Sequence, residues 1–334
     1  MRSEFLRYLA GGLARLGHTR RAALALLALA VLGACQASSA AKAGSAERVR
    51  IGYQKSSLLV LAKWKGTLEA PLRERGASIE WAEFPSGPAL LEALNAGQLD
   101  LGYVGEAPPI FAQAAAPDMV YVAVEQPSPK SEAIIVPKGS AIATLADLKG
   151  KTVALNKGSN VHYLLVRALA KGGLALKDVN VVYLPPAEGR AAFENGTVDA
   201  WVIWDPYLAS AEVTLGARVL ASAEGLADNH IFYVARREFA DDRTDLLRVI
   251  LEQVRVTDEW ARAHRDEVAG YLGPLLGIDE RASQLCFSRA TWGILPITDA
   301  TVSAQQRIAD AFQELGLLPE PLDVRKALPK SKIF

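Results

Sequence analysis

Residues 94–108 read Leu-Asn-Ala-Gly-Gln-Leu-Asp-Leu-Gly-Tyr-Val-Gly-Glu-Ala-Pro, and residues 193–206 read Phe-Glu-Asn-Gly-Thr-Val-Asp-Ala-Trp-Val-Ile-Trp-Asp-Pro. In each stretch a glycine ends a helical pattern and an aspartate, Asp100 or Asp199, follows three residues later. A short apolar strand then leads to an acidic residue close to a proline. A repeated strand–turn–helix unit predicts two α/β lobes of similar plan that present loops and helix N-termini to a shared cleft.

The alternative is that Gly-x-x-Asp recurs by chance in turns between helices and strands. A second correspondence favours the lobes, because residues 50–57 and 153–159 are each a strand that enters a polar turn, at nearly the same offset. Strands that alternate with helices predict mainly parallel pairing.

The composition describes a well-buried globular protein of 334 residues, with 50% hydrophobic, 7% aromatic and 22% charged residues. This length has room for two ordinary domains. The 37 Lys and Arg residues balance the 37 Asp and Glu residues, so no bulk field attracts nucleic acid or an anionic membrane. We expect a monomer that holds its ligand by local chemistry.

Residues 1–46 are predicted to be a signal peptide or a lipoprotein tether. Arginines precede an apolar core at residues 22–32, which is too short for a membrane span of about 20 residues. Leu32-Gly-Ala-Cys35 resembles a bacterial lipobox, in which Cys35 would carry lipid. Cleavage near residues 41–43, which releases a soluble protein, is the alternative. Both predict a periplasmic protein, and both stay open.

The two cysteines, Cys35 and Cys286, predict no disulfide, because Cys35 is either removed or lipidated. Cys286 lies in a helical, apolar pattern and is predicted to be a small buried residue.

The rest of the chain divides into three predicted segments. Residues 47–130 form the first part of lobe 1, residues 131–227 form lobe 2, and residues 228–334 return to lobe 1 and add C-terminal helices. Residues 126–130, Gln-Pro-Ser-Pro-Lys, suit a crossover between lobes, and a strand near residue 231 carries the chain back. Two crossovers make a two-segment hinge that permits closure.

Five turns that follow a strand and open a helix are the predicted ligand site. Helix N-termini expose unpaired N–H groups and a partial positive charge, and open α/β sheets bind ligands at this edge. Small glycines let an oxyanion approach the backbone. The alternative for each serine is a cap of its own helix. The residues of these turns are Gln54, Ser56, Ser57, Ser86, Gly87, Gly105, Glu106, Gly158, Ser159, Asn160, Trp204 and Asp205.

Four side chains near these turns have competing interpretations. Trp204 is predicted to be an apolar wall for the carbon chain of a ligand, and packing in the core is the alternative. Asp205 is expected to cap its helix. Glu106 either caps its helix or faces the cleft, where it accepts from a ligand or bridges the lobes. His162 could donate to an anion, although a lone histidine at such a place is more often structural.

The residues indicate no catalytic or metal chemistry. The four histidines do not cluster with cysteines or carboxylates, and there is no P-loop or G-x-S-x-G motif. We therefore predict a binding protein rather than an enzyme, with no cofactor and no metal.

Several segments resemble the aliphatic sulfonate-binding proteins of bacterial ABC importers, from about residue 49 to 207 and more loosely to the end. The resemblance implies a type II periplasmic binding fold, an alkanesulfonate ligand, a permease partner in the inner membrane and a role in sulfur supply. Members often have Gly-Asp where this chain has Gly105–Glu106, which bears on the ligand that fits. The segments are residues 51–62, 83–88, 105–113, 120–124, 147–150, 156–159 and 201–207.

Rival interpretations remain. Taurine, nitrate or a sulfate ester could replace the alkanesulfonate. A pyrimidine-precursor synthase-like enzyme on the same fold would need a reactive Cys or His cluster and would not be exported. The effector domain of a transcription regulator would need a basic helix-turn-helix at the N-terminus, where this chain has an apolar segment.

Overall fold

The computed structural model describes residues 47–55, 57–116 and 118–333. The segment predicted as a signal peptide, with Cys35, and the predicted ligand contact Ser56 therefore lie outside the described residues. In the part of the chain that is described, no helix is both long and apolar enough to cross a membrane.

Eleven strands and twelve α-helices make up the described chain. The strands are β1 Glu47–Tyr53, β2 Ala77–Glu83, β3 Leu101–Gly105, β4 Met119–Glu125, β5 Glu132–Val136, β6 Thr152–Leu155, β7 Asn180–Tyr183, β8 Ala200–Trp204, β9 Arg218–Ser222, β10 Ile231–Arg236 and β11 Ile294–Leu295. The helices are α1 Leu58–Lys65, α2 Glu69–Arg73, α3 Gly87–Asn95, α4 Pro108–Ala115, α5 Asn160–Lys171, α6 Pro186–Glu194, α7 Tyr207–Leu215, α8 Arg237–Asp242, α9 Thr244–Ala263, α10 Arg265–Leu276, α11 Glu280–Arg289 and α12 Asp299–Glu314.

The strands form two sheets. The first sheet has six strands in the order β11-β4-β10-β3-β1-β2, and the second has five in the order β7-β6-β8-β5-β9. The chain passes from β4 in the first sheet to β5 in the second, and it returns from β9 to β10. The boundaries of the lobes stay a prediction.

Both sheets are mixed, which differs from the mainly parallel pairing expected from the sequence. β1 pairs parallel with β3, and β6 pairs parallel with β7 and β8. The short strand β11 pairs antiparallel with β4. The other antiparallel pairs involve the two strands that cross between sheets, β10 with β3 and β4, and β5 with β8 and β9. A parallel neighbour needs a crossover helix within its own sheet, and these strands arrive directly from the other sheet.

The repeated aspartates hold the same place in both sheets. Asp100 Oδ2 accepts from the N–H of Arg50 at 2.9 Å, and Asp199 Oδ2 accepts from the N–H of Thr152 at 2.8 Å. Each carboxylate therefore fastens the strand that opens its half, β1 or β6, to the start of the parallel strand beside it. The sequence repeat is thus a repeat of strand pairing.

The sequence pattern at residues 58–75 is mostly that of one helix, and the structure has two helices there, α1 and α2. Gly66 adopts a left-handed φ of 63° and ends α1, because its N–H closes the last turn of the helix. Strands β9 and β11 were not predicted, since neither has an alternating or continuous apolar pattern of usual length.

Candidate functional site

A cavity of about 90 Å³ opens where strands of both sheets end and helices begin. It is large enough for a small ligand rather than for a single water molecule. Its lining contains no lysine and no arginine. The lining residues are Gln54, Gly87, Tyr103, Gly105, Pro108, Glu125, Ser128, Ser131, Ser159, Asn160, Trp204, Asp205, Asn229, Ile231, Cys286, Phe287, Ala290 and Trp292.

Two helices begin at this cavity without a side-chain cap. Ser86 precedes α3 and Ser159 precedes α5, and neither serine accepts from its helix. The Ser159 hydroxyl instead donates to the Asn156 carbonyl at 2.7 Å. The first N–H groups of both helices therefore lack the usual side-chain partner, and the positive ends of their dipoles lie at the cavity.

Asn160 links the two sheets across the cavity. Its Oδ1 accepts from the N–H of Ala107, just after β3, at 3.1 Å. Its Nδ2 donates to Asn229 Oδ1 at 2.6 Å, and Asn229 in turn donates to the Ser128 carbonyl at 2.8 Å. The start of α5 is thus hydrogen-bonded to the first sheet and to both segments that connect the sheets.

Aromatic rings supply much of the apolar wall. Trp204 ends β8 and lines the cavity. Phe287 and Trp292 come from the C-terminal part of the chain, with ring centroids 6.1 Å apart. The cavity therefore joins uncharged donors at helix starts to an aromatic surface.

Two carboxyl groups also lie in the wall. Glu125 is buried and accepts from the hydroxyls of Tyr233 at 2.8 Å and Tyr103 at 3.4 Å. Burial raises the pKa of Glu125 to about 8, and the negative charge of Asp258 adds to this effect.

Asp205 caps α7, as predicted, because its Oδ1 accepts from the N–H of Ala209 at 2.9 Å. Burial raises the pKa of Asp205 to about 7, although the Arg289 guanidinium 3.5 Å away opposes the shift. Both carboxyl groups of the wall are therefore easier to protonate than exposed ones.

The structure places seven of the predicted residues in the lining of the cavity. The ligand-binding role of each stays a prediction. These residues are Gln54, Gly87, Gly105, Ser159, Asn160, Trp204 and Asp205.

The predicted serines Ser57 and Ser86 and the predicted Gly158 do not line the cavity. Ser57 caps its own helix, since its hydroxyl oxygen accepts from the N–H of Leu59 at 2.9 Å. Gly158 takes a left-handed φ of 71° and packs against the ring of Phe111. For Ser57 the alternative interpretation, a cap of its own helix, describes the observed contact.

Glu106 and His162 also lie away from the cavity lining. Glu106 Oε2 accepts from the N–H of His230, at the segment that returns to the first sheet, at 2.9 Å. It does not cap its helix, and it lines a separate cavity together with Tyr163 and Arg167. Its predicted role at the cleft stays a prediction. His162 is fully buried, and its Nδ1 accepts from the N–H of Gly158 at 3.3 Å. Burial lowers the pKa of His162 to about 4, which favours a neutral ring.

Sequence reasoning missed the residues of the connecting segments and of the C-terminal helices. Ser128, Ser131 and Asn229 belong to the two connections, and they follow no strand–helix turn of the repeat. Cys286 is buried and free, as expected, yet it also lines the cavity from α11. Only the buried acid Glu125 at the end of an apolar strand carried a signal. Among the described residues, no group of three or more His, Cys, Asp or Glu side chains could hold a metal ion.

We expect the protein to lose stability as the pH rises from about 5 to about 8. Burial raises the pKa of Glu106 from an ordinary 4.5 to about 8, with the charge of Asp228 adding to it. The folded protein then keeps a proton that the unfolded chain has lost, so unfolding becomes easier with pH. Each such group contributes up to about 1.4 kcal/mol per pH unit.

Urea unfolding of the protein and of Glu106→Gln across this pH range measures the effect. The variant should show a flatter dependence of the unfolding free energy on pH. The matched control is Glu188→Gln, which replaces an exposed carboxylate and should leave the slope unchanged. Equal slopes for all three proteins would show that Glu106 is ionised in the folded state.

Comparisons with known proteins identify the family and the fold of the chain. The chain matches the NMT1-like family over residues 42–273. A protein of Escherichia coli strain K12 named as an aliphatic sulfonates-binding protein is 42% identical over 304 residues, which are 90% of this chain and 95% of that protein.

Two solved structures are similar over most of this chain. The alkanesulfonate-binding protein from Xanthomonas axonopodis pv. citri bound to MOPS has a TM-score of 0.81 and 40% identity, and the match covers 86% of this chain and 99% of that one. The periplasmic aliphatic sulphonate-binding protein from Escherichia coli has a TM-score of 0.77 and 43% identity, with 84% and 92% covered. These matches confirm the predicted α/β periplasmic binding protein fold and the predicted resemblance. The relatives are binding proteins, in agreement with the prediction that the chain is not an enzyme.

Proposed function

Because the chain belongs to the NMT1-like family, we propose that it is an extracytoplasmic solute-binding protein that delivers aliphatic sulfonates to an ABC importer for sulfur acquisition. The observation that carries this proposal is a cavity that has no lysine or arginine in its lining and lies at the starts of α3 and α5. A sulfonate spreads its charge over three oxygens. Neutral donors and helix dipoles hold such a group without a buried countercharge.

In the proposed complex the sulfonate lies at the N–H groups that open α3 and α5. Gly87 and Gly105 also line the cavity, and Pro108 and Asn160 fill the space that a Cβ would take at these positions. The carbon chain then packs against Trp204 and the aromatic residues Phe287 and Trp292. Burial of the chain against these rings contributes about 0.8 kcal/mol per methylene group.

Closure completes the proposed cycle. Residues 47–130 and 228–334 form one lobe and residues 131–227 the other, and the two connections between the sheets act as the hinge. Closing shields the ligand, and the closed form docks on an inner-membrane permease. Residues 1–46 direct export to the periplasm, where Cys35 carries a lipid or a later cleavage releases the protein. It acts as a monomer and binds no nucleic acid.

Calorimetry of the protein with alkanesulfonates, taurine, nitrate and sulfate tests the ligand class. We expect saturable binding at one site for alkanesulfonates, with affinity that rises as the carbon chain lengthens until the aromatic wall is filled. Sulfate has the same oxygens but no carbon chain, so it is the matched control and should bind more weakly. Binding of nitrate alone, or of none of the sulfonates, would reject the assignment.

A further inference from the structure

A second cavity, of about 240 Å³, lies beside the connection that returns from β9 to β10. This volume has room for an ion of several atoms rather than for a single water molecule. The rim is open to solvent, because Arg167, Asp228 and Arg307 line the cavity and are exposed residues. It shares no lining residue with the cavity at the starts of α3 and α5. A ligand can therefore reach this second cavity from solution without entering the first.

Two helices that pack on different sheets each bring one arginine to this second cavity. Arg167 lies on α5, four residues after Tyr163 and on the same helix face, and α5 packs on β5 and β8 of the second sheet. Arg307 lies on α12, which packs against residues of β3 and β4 in the first sheet. Two positive charges therefore line one cavity between elements of different sheets, and an anion between them would offset their repulsion.

Neither arginine is paired with a carboxylate within 4 Å in the part of the chain that the structure describes. Arg167 donates from Nε to the Leu226 carbonyl at 3.2 Å, which holds the guanidinium at the cavity while its terminal nitrogens make no described hydrogen bond. The side chain of Arg307 makes none either. The exposed acid of the rim, Asp228, pairs instead with His230 at 4.0 Å. Both guanidinium groups thus keep donors for a ligand.

The buried side of the second cavity adds a hydroxyl and little competing charge. Tyr163 is 8% exposed, and its hydroxyl has no hydrogen-bond partner among the described residues. Burial raises the pKa of Tyr163, and the nearby charges of Arg167 and Arg307 oppose the shift. Burial also raises the pKa of Glu106 to about 8, so this carboxyl keeps its proton at neutral pH. The two arginine charges therefore face the single charge of Asp228.

We propose that this second cavity is an anion site for a small tetrahedral oxyanion such as inorganic phosphate, which Arg167 and Arg307 hold between them. Guanidinium groups bind phosphate oxygens through paired, charge-assisted hydrogen bonds, which are stronger than bonds between neutral groups. The bound anion joins α5 to α12 and so stabilises the arrangement of the two sheets seen here. The site does not depend on the ligand of the first cavity, since the two cavities have no residue in common.

Calorimetry of the protein with inorganic phosphate at about neutral pH, with chloride to keep the ionic strength constant, tests this inference. We expect saturable binding at one site. Arg307→Gln should weaken phosphate binding at least about tenfold, as the loss of a hydrogen bond between charged groups predicts. Because Arg307 is exposed and makes no described contact, this variant should fold normally. Phosphate should also raise the thermal midpoint of the unmodified protein, and it should raise that of Arg307→Gln less.

The matched control is Arg73→Gln, which removes an exposed arginine of α2 that does not line the cavity. It should bind phosphate as the unmodified protein does. Saturating butane-1-sulfonate should leave the phosphate affinity unchanged, and displacement of phosphate by the sulfonate would place the anion in the first cavity and overturn the inference. Absence of saturable phosphate binding, or equal phosphate affinities for Arg307→Gln and the unmodified protein, would also overturn it. None of these results would touch the proposed function, which fails only if sulfonates do not bind.

Discussion

Replacing Gly105 with alanine should weaken ligand binding about a hundredfold. A Cβ atom at this position would lie 2.1 Å from Oδ1 and 2.4 Å from Cγ of Asn160. The side chain of Asn160 would have to leave, and its bonds to Ala107 and Asn229 would be lost. Two lost hydrogen bonds and a buried donor without a partner cost about 3 kcal/mol, which corresponds to about a hundredfold in affinity.

The loss of affinity comes mainly from the hydrogen bonds of Asn160 that join the two sheets, and not only from a lost contact with the ligand. Asn160 belongs to the start of α5, whereas Gly105 ends β3 in the first sheet. In an open form the two sheets lie further apart, so the alanine side chain would collide with Asn160 only in the closed form. We therefore expect the unliganded variant to keep its thermal stability, while calorimetry shows the weakened binding.

Gly270→Ala is the matched control for this prediction. Gly270 lies within α10, and a Cβ there would meet nothing within 4 Å. Alanine in a helix should be neutral or stabilise it by about 0.5–1 kcal/mol, with no change in affinity. The double variant Gly105→Ala with Asn160→Ala removes the collision and should bind better than Gly105→Ala alone. Full affinity in Gly105→Ala would mean that Asn160 does not occupy this place when ligand is bound.

Trp201→Ala should lower the free energy of unfolding by about 3–5 kcal/mol, which is the usual cost of deleting a large buried aromatic ring. Trp201 is 1% exposed and lies on β8 in the second sheet. It packs against Phe193, with ring centroids 6.0 Å apart, and against Gly189, where a Cβ would come within 2.8 Å of its Nε1. Helix α6 therefore rests on this ring and cannot collapse fully into the space that the variant leaves.

Urea unfolding of the unliganded protein measures the loss. Trp64→Ala is the control, since Trp64 is 37% exposed and should cost far less. A loss below about 1 kcal/mol in Trp201→Ala, within the range of surface changes, would show that α6 and the sheet close over the gap.

The five turns of the predicted ligand site show what a local sequence pattern can predict and what it cannot. Gln54, Ser159 and Asn160 were predicted from their place after a strand and before a helix, and they line the cavity. Ser57 and Gly158 occupy equivalent places in sequence and do not. A turn can be recognised from its residues, but whether a side chain turns to its own helix or to the cavity depends on neighbours that are distant in sequence.

Glu106 and Asp205 make the same point, because they are equivalent in the repeat. Asp205 caps α7 and belongs to the lining of the cavity. Glu106 instead accepts from the N–H of His230, in a segment 124 residues further along the chain. No periodicity of the repeat encodes that contact, since His230 lies in the connection that returns to the first sheet.

The amino-acid sequence alone determined most of the helices and strands, the repeated Gly-x-x-Asp unit and the plan of two α/β halves, because apolar periodicity, helix-ending glycines and turn residues act over a few positions. Only the tertiary structure decided that β5 and β10 pair antiparallel with their neighbours. It also decided the hydrogen bonds of Asn160 to Ala107 and Asn229. The same holds for the place of Glu125, Cys286 and Trp292 in the cavity wall. These contacts bring together chain segments far apart in sequence. They depend on the packing and solvent exclusion of the complete fold, which no local pattern records.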